Sequence, residues 1–131
     1  MVKRSVLVID DELLWHKLLK SLLGGLGYTV YAASNGRDGL KIAETHRPDC
    51  ILLDFYLTDC DAVSVCSALR ANNAVKNIPV IIFSSDAAVE VTAYAECKAS
   101  GFVLKGPRWL RALLIALEQN LPSILSPDPG N

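Results

Sequence analysis

Four apolar runs in this chain each end in a polar residue able to do chemistry. Ser5-Val6-Leu7-Val8-Ile9 ends in Asp10 and Asp11, and Cys50-Ile51-Leu52-Leu53 ends in Asp54. Val80-Ile81-Ile82-Phe83 ends in Ser84, and Gly101-Phe102-Val103-Leu104 ends in Lys105. Continuous apolar runs of this length read as strands buried on both faces. An ionised Asp is costly inside such a strand unless paired, so each polar residue is expected just past the buried part. Three carboxylates brought together repel, and their ionised forms call for a cation. A hard divalent ion with oxygen ligands, Mg²⁺, meets that demand. A hydroxyl and an ammonium on the other side of Asp54 suit an incoming phosphoryl group. Asp54 would be the oxygen nucleophile, Ser84 a hydrogen-bond donor and Lys105 a neutralising charge, with an acyl phosphate as product. Each residue also has a plainer role: Asp11 or Glu12 at a helix start, Ser84 as a cap, Lys105 as a surface lysine. Their joint placement at the ends of four strands favours the site.

Between these runs the sequence alternates. Leu14, Leu18, Leu22 and Leu19, Leu23, Leu26 recur at helical spacing, predicting a helix over 12–23 stopped by Gly24-Gly25 and Gly27. A β-branched and aromatic strand is expected over 28–32. A helix capped by Ser34 or Asn35 follows over 36–46, with Leu40 and Ala43 inward, and Arg47-Pro48 ends it. Asp61 can cap a third helix over 62–71, and a fourth strand spans 78–83. A weaker helix over 87–99 carries Val89, Val91 and Tyr94. Gly106-Pro107 opens the last helix, with Pro107 at its first position. Leu110, Leu113, Leu114 and Leu117 make its expected buried stripe. Trp109, Ala112 and Ala116 make a second apolar stripe, which either finishes the core or forms a contact surface. Five strand–helix alternations predict an α/β fold: a doubly wound five-stranded parallel sheet in the flavodoxin-like order 2-1-3-4-5, with helices on both faces. Its switch point between strands one and three gathers the residues named above.

The 131 residues suit one domain, expected over 1–120, with 121–131 a proline-containing tail or the start of a linker. With 51% hydrophobic residues and a net charge of -1, nothing favours nucleic acid or an anionic membrane as a direct partner. No apolar run reaches the ~20 residues of a membrane-spanning helix. The basic start turns acidic too soon for a signal peptide, so a cytoplasmic location is expected. Cys50, Cys60, Cys66 and Cys97 are then expected as reduced thiols, and their spacing fits no zinc site.

Together the motifs resemble the receiver domain of two-component response regulators, over residues from about Lys3 to Glu118. Asp10-Asp11 matches the family's acidic pair, Asp54 its phosphoacceptor, Ser84 its switch hydroxyl, Lys105 its lysine and Phe102 its switch aromatic. The chain departs from the pattern at Thr58, Ala62 and Ser85, and at Gly106, where proline usually follows the lysine through a cis bond. The resemblance implies phosphoryl transfer from a sensor histidine kinase or histidine phosphotransfer protein to Asp54, a signalling switch rather than an enzyme. It implies Mg²⁺ held by Asp10, Asp11, Asp54 and the Tyr56 carbonyl. Tyr56 and Asp86 would tune the lifetime of the phosphorylated form. The helix 4–strand 5–helix 5 face would change with Ser84 and Phe102, and a homodimer through it is expected. The rival reading is a pseudo-receiver, a binding module that is never phosphorylated, although the complete acid pair, Asp54 and Lys105 argue against it. A haloacid-dehalogenase-type phosphatase would want an Asp where Tyr56 stands. A flavin site would not place Asp10-Asp11-Glu12 in its phosphate loop.

Overall fold

A computed structural model describes residues 3–121. Five parallel strands form one sheet in the order β2-β1-β3-β4-β5. They are β1 (Ser5–Ile9), β2 (Thr29–Ala33), β3 (Cys50–Leu53), β4 (Val80–Ser84) and β5 (Gly101–Leu104). The helices are α1 (Leu13–Gly25), α2 (Gly36–His46), α3 (Ala62–Ala71), α4 (Glu90–Ala95) and α5 (Trp109–Asn120). Alternation along each strand divides the core into two layers. Leu7, Ile9, Ile51, Leu53 and Ile82 pack with α2, α3 and α4, while Val6, Val8, Leu52, Phe83 and Val103 pack with α1 and α5. The expected strand order is the one observed.

Several boundaries differ from the sequence reading. Helix α1 runs through Gly24 and Gly25, and the chain turns only at Gly27, whose φ of 96° suits glycine. Asn35, not Ser34, caps α2, accepting a hydrogen bond from the Asp38 N–H at 2.8 Å. The fourth strand starts after Pro79, which has no N–H to give to the sheet. The helix expected over 87–99 is a 3₁₀ turn, Ala87–Val89, followed by the short α4. Pro107 lies in the turn before α5, where the Trp109 N–H donates to the Gly106 carbonyl at 3.0 Å. No cis peptide bond occurs among the described residues.

The phase of α5 also differs. Trp109, Ala112 and Ala116 turn towards the core beside Leu113 and Leu117. Leu110 and Leu114 from the expected buried stripe are instead exposed, with Ile115. Trp109 sets this phase by packing edge-on against Trp15 of α1, with ring centroids 5.0 Å apart. Leu14 and Leu18 of α1 are likewise exposed, leaving Leu19 and Leu23 as its buried residues. All four cysteines are free thiols, and Cys50, Cys66 and Cys97 are buried. Leu121 is buried with α5 in the core. Leu121 therefore does not belong to the tail expected over 121–131, and residues 122–131 lie outside the described residues.

Helix α2 approaches β1 closely at Gly39. A Cβ there would stand 2.5 Å from Ile9 Cδ1 and 2.8 Å from its Cγ1, and Ile9 is fully buried. Alanine favours a helix interior over glycine by about 1 kcal/mol, but overpacking costs about 1–3 kcal/mol. Gly39→Ala should therefore lower the urea midpoint of unfolding. Adding Ile9→Val, which removes Cδ1, should recover part of the loss.

Candidate functional site

Strand register brings the polar residues together. Ile9 pairs with Leu53, so Asp10 and Asp54 emerge side by side, and the Asp54 N–H donates to the Ile9 carbonyl at 2.9 Å. Ser84 pairs with Leu104, and the Lys105 N–H donates to the Ser84 carbonyl at 2.8 Å. Hydrogen bonds of the parallel ladder thus carry these side chains to one edge of the sheet.

The Lys105 ammonium lies 2.7 Å from Asp10 Oδ2 and 3.6 Å from Asp54 Oδ1, with its side chain only 4% exposed. Glu12 Oε1 is 3.9 Å away from the same ammonium, a neighbour the sequence did not suggest. The other Asp10 oxygen accepts from the Glu12 N–H at 2.9 Å. His16 Nε2 lies 2.6 Å from the Asp10 carbonyl oxygen, tying α1 to the end of β1. Asp10 and Asp54 are buried and Asp11 is exposed. One oxygen from each lies within 4.8 Å of the others. An all-oxygen carboxylate cluster of this size fits a hard divalent cation.

Ser84 is buried, and its Oγ accepts from the Asp86 N–H at 3.1 Å. Alternation and register put Ser84 and Phe102 on the same face of the sheet, where Phe102 is half-buried against the α2–α3–α4 side of the core. Tyr56 and Asp86 meet across the mouth, the Tyr56 hydroxyl donating to Asp86 Oδ2 at 3.3 Å. The hydrogen bonds flanking Tyr56 are made by its neighbours: Ala62 N–H to the Phe55 carbonyl, and Leu57 N–H to the Cys60 carbonyl. Asp59 in the same loop accepts from the Gly36 and Arg37 N–H groups, tethering it to the start of α2. Both bonds hold the Asp59 carboxyl below its usual range. That tether spans more than twenty residues of chain, and no local pattern signals it.

Comparison with known proteins agrees with this geometry. Residues 6–116 match the model of the response regulator receiver domain. The chain belongs to that family. It is 33% identical over 125 residues to Protein PilG of Pseudomonas aeruginosa, covering 95% of this receiver and 92% of that protein. A probable transcriptional regulator, ycf27, of Cyanidium caldarium is 37% identical over 114 residues, 84% of this chain but 44% of that one. The receiver thus spans less than half the length of several curated relatives. Its fold superposes on the chemotaxis response regulator CheY4 of Vibrio cholerae with a TM-score of 0.82 at 25% identity, covering 92% of this chain and all of that one. It also superposes on the receiver domain of the sensor histidine kinase PA1611 of Pseudomonas aeruginosa, with a TM-score of 0.75 at 21% identity, covering 89% of this chain and 97% of that one. That structure is described with a magnesium ion coordinated in its active-site cleft. Among the described residues of this receiver, no helix is long and apolar enough to cross a membrane.

Burial pushes the Asp54 carboxyl up from the usual 3.8 to about 6. Lys105 opposes the shift, and Asp10 and Asp11 add to it. The folded protein thus holds this proton more tightly than the unfolded chain does. The stability this contributes is present below pH 3.8 and is lost as pH rises through about 6. Without divalent metal, Asp54→Asn should raise the melting temperature at pH 7, by the equivalent of about 1–2 kcal/mol. The gain should shrink towards zero at pH 4.

Proposed function

We propose that this receiver takes a phosphoryl group from phosphohistidine onto Asp54 and that the transfer switches its output face. The observation carrying the reading is the Lys105 ammonium lodged between Asp10 and Asp54, beside three carboxylates clustered within 4.8 Å. The donor is a sensor histidine kinase or a histidine phosphotransfer protein, the partners that receivers of this family use. The location proposed is the cytoplasm, in keeping with four free thiols.

An Asp54 oxygen attacks phosphorus, the N–P bond of phosphohistidine breaks, and the imidazole leaves with its electron pair and is protonated. Asp10, Asp11, Asp54 and the Tyr56 carbonyl would hold Mg²⁺, which supplies positive charge against the phosphoryl oxygens. Lys105 stands 3.6 Å from Asp54 Oδ1, close enough to move onto a phosphoryl oxygen. Ser84 Oγ reaches the same group by turning away from the Asp86 N–H that it now accepts. Phe102 shares its face and follows it inward, shifting a pre-existing equilibrium of the surface made by α4, β5 and α5. That surface exposes Val91, Tyr94, Leu104 and Leu110, and self-association through it is the expected readout. Residues 1–120 act as the receiver unit, with Leu121 closing its core and 122–131 as tail or linker. Tyr56 and Asp86, joined by a hydrogen bond, would tune hydrolysis by screening Asp54 from water.

Intact mass after acetyl phosphate and Mg²⁺ should show one added phosphoryl group on the wild type and none on Asp54→Asn. Label persisting on the variant would overturn the assignment. Tyr56→Asn, which removes the ring and its bond to Asp86, should lose the phosphoryl group several-fold faster in a chase after the donor is removed.

A further inference from the structure

The acids hold one side of the Lys105 ammonium, and aromatic rings hold the other. Its Nζ lies 5.4 Å from the centroid of the Trp15 ring and 5.2 Å from that of Phe83. Both distances are within the reach of a cation–π attraction, which is strongest for tryptophan and grows where water is excluded. Water is largely excluded here, since the lysine side chain is only 4% exposed. Trp15 is itself locked in place. Its ring meets Phe83 of β4 edge-on at 4.9 Å and Trp109 of α5 edge-on at 5.0 Å, and the Phe83 contact alone keeps the ring beside the ammonium when Trp109 is changed.

We infer that Trp15 is a positioning residue for phosphoryl transfer, holding the Lys105 ammonium in line between Asp10 and Asp54. The inference rests on Asp54 being the phosphoacceptor. A lysine stem has wide rotamer freedom, and losing it at the moment of reaction would add to the barrier. The Asp10 carboxylate alone does not aim the ammonium at Asp54, because a 2.7 Å ion pair competes with the 3.6 Å approach. Ring faces offer diffuse negative charge and no hydrogen-bond acceptor lone pair. They can therefore retain the ammonium while it leaves Asp10 for a phosphoryl oxygen. Trp109 braces Trp15 but is not itself among the rings facing the ammonium.

The test compares wild type, Trp15→Leu, Trp15→Phe and Trp109→Leu. It measures the phosphorylation rate with acetyl phosphate and Mg²⁺, the melting temperature, and the NMR shift of the Lys105 ε-methylene protons. Trp15→Leu should slow phosphorylation about tenfold and move the ε protons downfield as the ring current is lost. Trp15→Phe, which keeps a ring face, should restore most of the rate and of the upfield shift. Trp109→Leu should lower the melting temperature at least as much as Trp15→Leu, yet change the rate by less than about threefold. Equal rate losses in Trp15→Leu and Trp109→Leu, or no upfield shift in the wild type, overturn the inference and leave only packing. Labelling of Asp54 that is as fast in Trp15→Leu as in the wild type overturns it alone. A wild type that takes no phosphoryl group at all overturns the phosphoacceptor reading, and this inference with it.

Discussion

The ion pair between Lys105 and Asp10, 2.7 Å long and almost entirely out of water, is the constraint on which the site's architecture depends. Removing two charges from water costs several kcal/mol per ion, and only close, hydrogen-bonded geometry recovers it. Asp10 meets that condition with both oxygens, one on Lys105 and the other on the Glu12 N–H. The lysine enters from β5 at the sheet's edge and the aspartate from β1, with β3 and β4 between them in the sheet order. Any slip in the register of the intervening strands would leave both charges buried and unpaired. Chemistry at the carboxyl edge and correct strand pairing are thus enforced by the same interaction.

Asp54 lies on the costly side of this arrangement. Its carboxyl is buried beside two other acids, with a single ammonium at 3.6 Å to offset them. The folded protein therefore carries an unfavourable charge distribution at neutral pH, the kind of local instability that functional sites retain. On the proposed reading, added positive charge at the acids, or conversion of Asp54 into a group that engages Lys105 and Ser84 more fully, would relieve it. That relief would supply the differential binding energy between two states that a conformational switch requires.

The two faces of the sheet divide the work. Ser84 and Phe102 look towards the α2–α3–α4 side, while the Lys105 ammonium lies over the rings of Trp15 and Phe83, which pack towards α1 and α5. Loops complete the mouth: Asp59 pins the β3–α3 loop to α2, and Tyr56 and Asp86 join the loops after β3 and β4. A change at Asp54 therefore touches both helical layers at once.

Much of this was legible in the sequence, for a physical reason. A strand buried on both faces must be a nearly unbroken apolar run, so a polar residue closing it marks the strand's end. Five alternations with helices allow few topologies, and the parallel order 2-1-3-4-5 places those ends together. Asp10, Asp11, Asp54, Ser84 and Lys105 could be singled out on that basis. Leucine-rich helices were less readable. In α1 and α5 apolar residues occupy more than one stripe, so periodicity alone did not say which stripe faces the sheet. The Trp15–Trp109 contact selected it, leaving Leu14, Leu18, Leu110 and Leu114 exposed. That contact joins residues 94 positions apart in the chain, as the Lys105–Asp10 pair joins residues 95 apart. Local pattern determined which residues reach the edge of the sheet. Only tertiary packing decided which helix stripe is buried, which acid Lys105 pairs with, and which aromatic rings enclose it, because those choices depend on contacts between segments far apart in the chain.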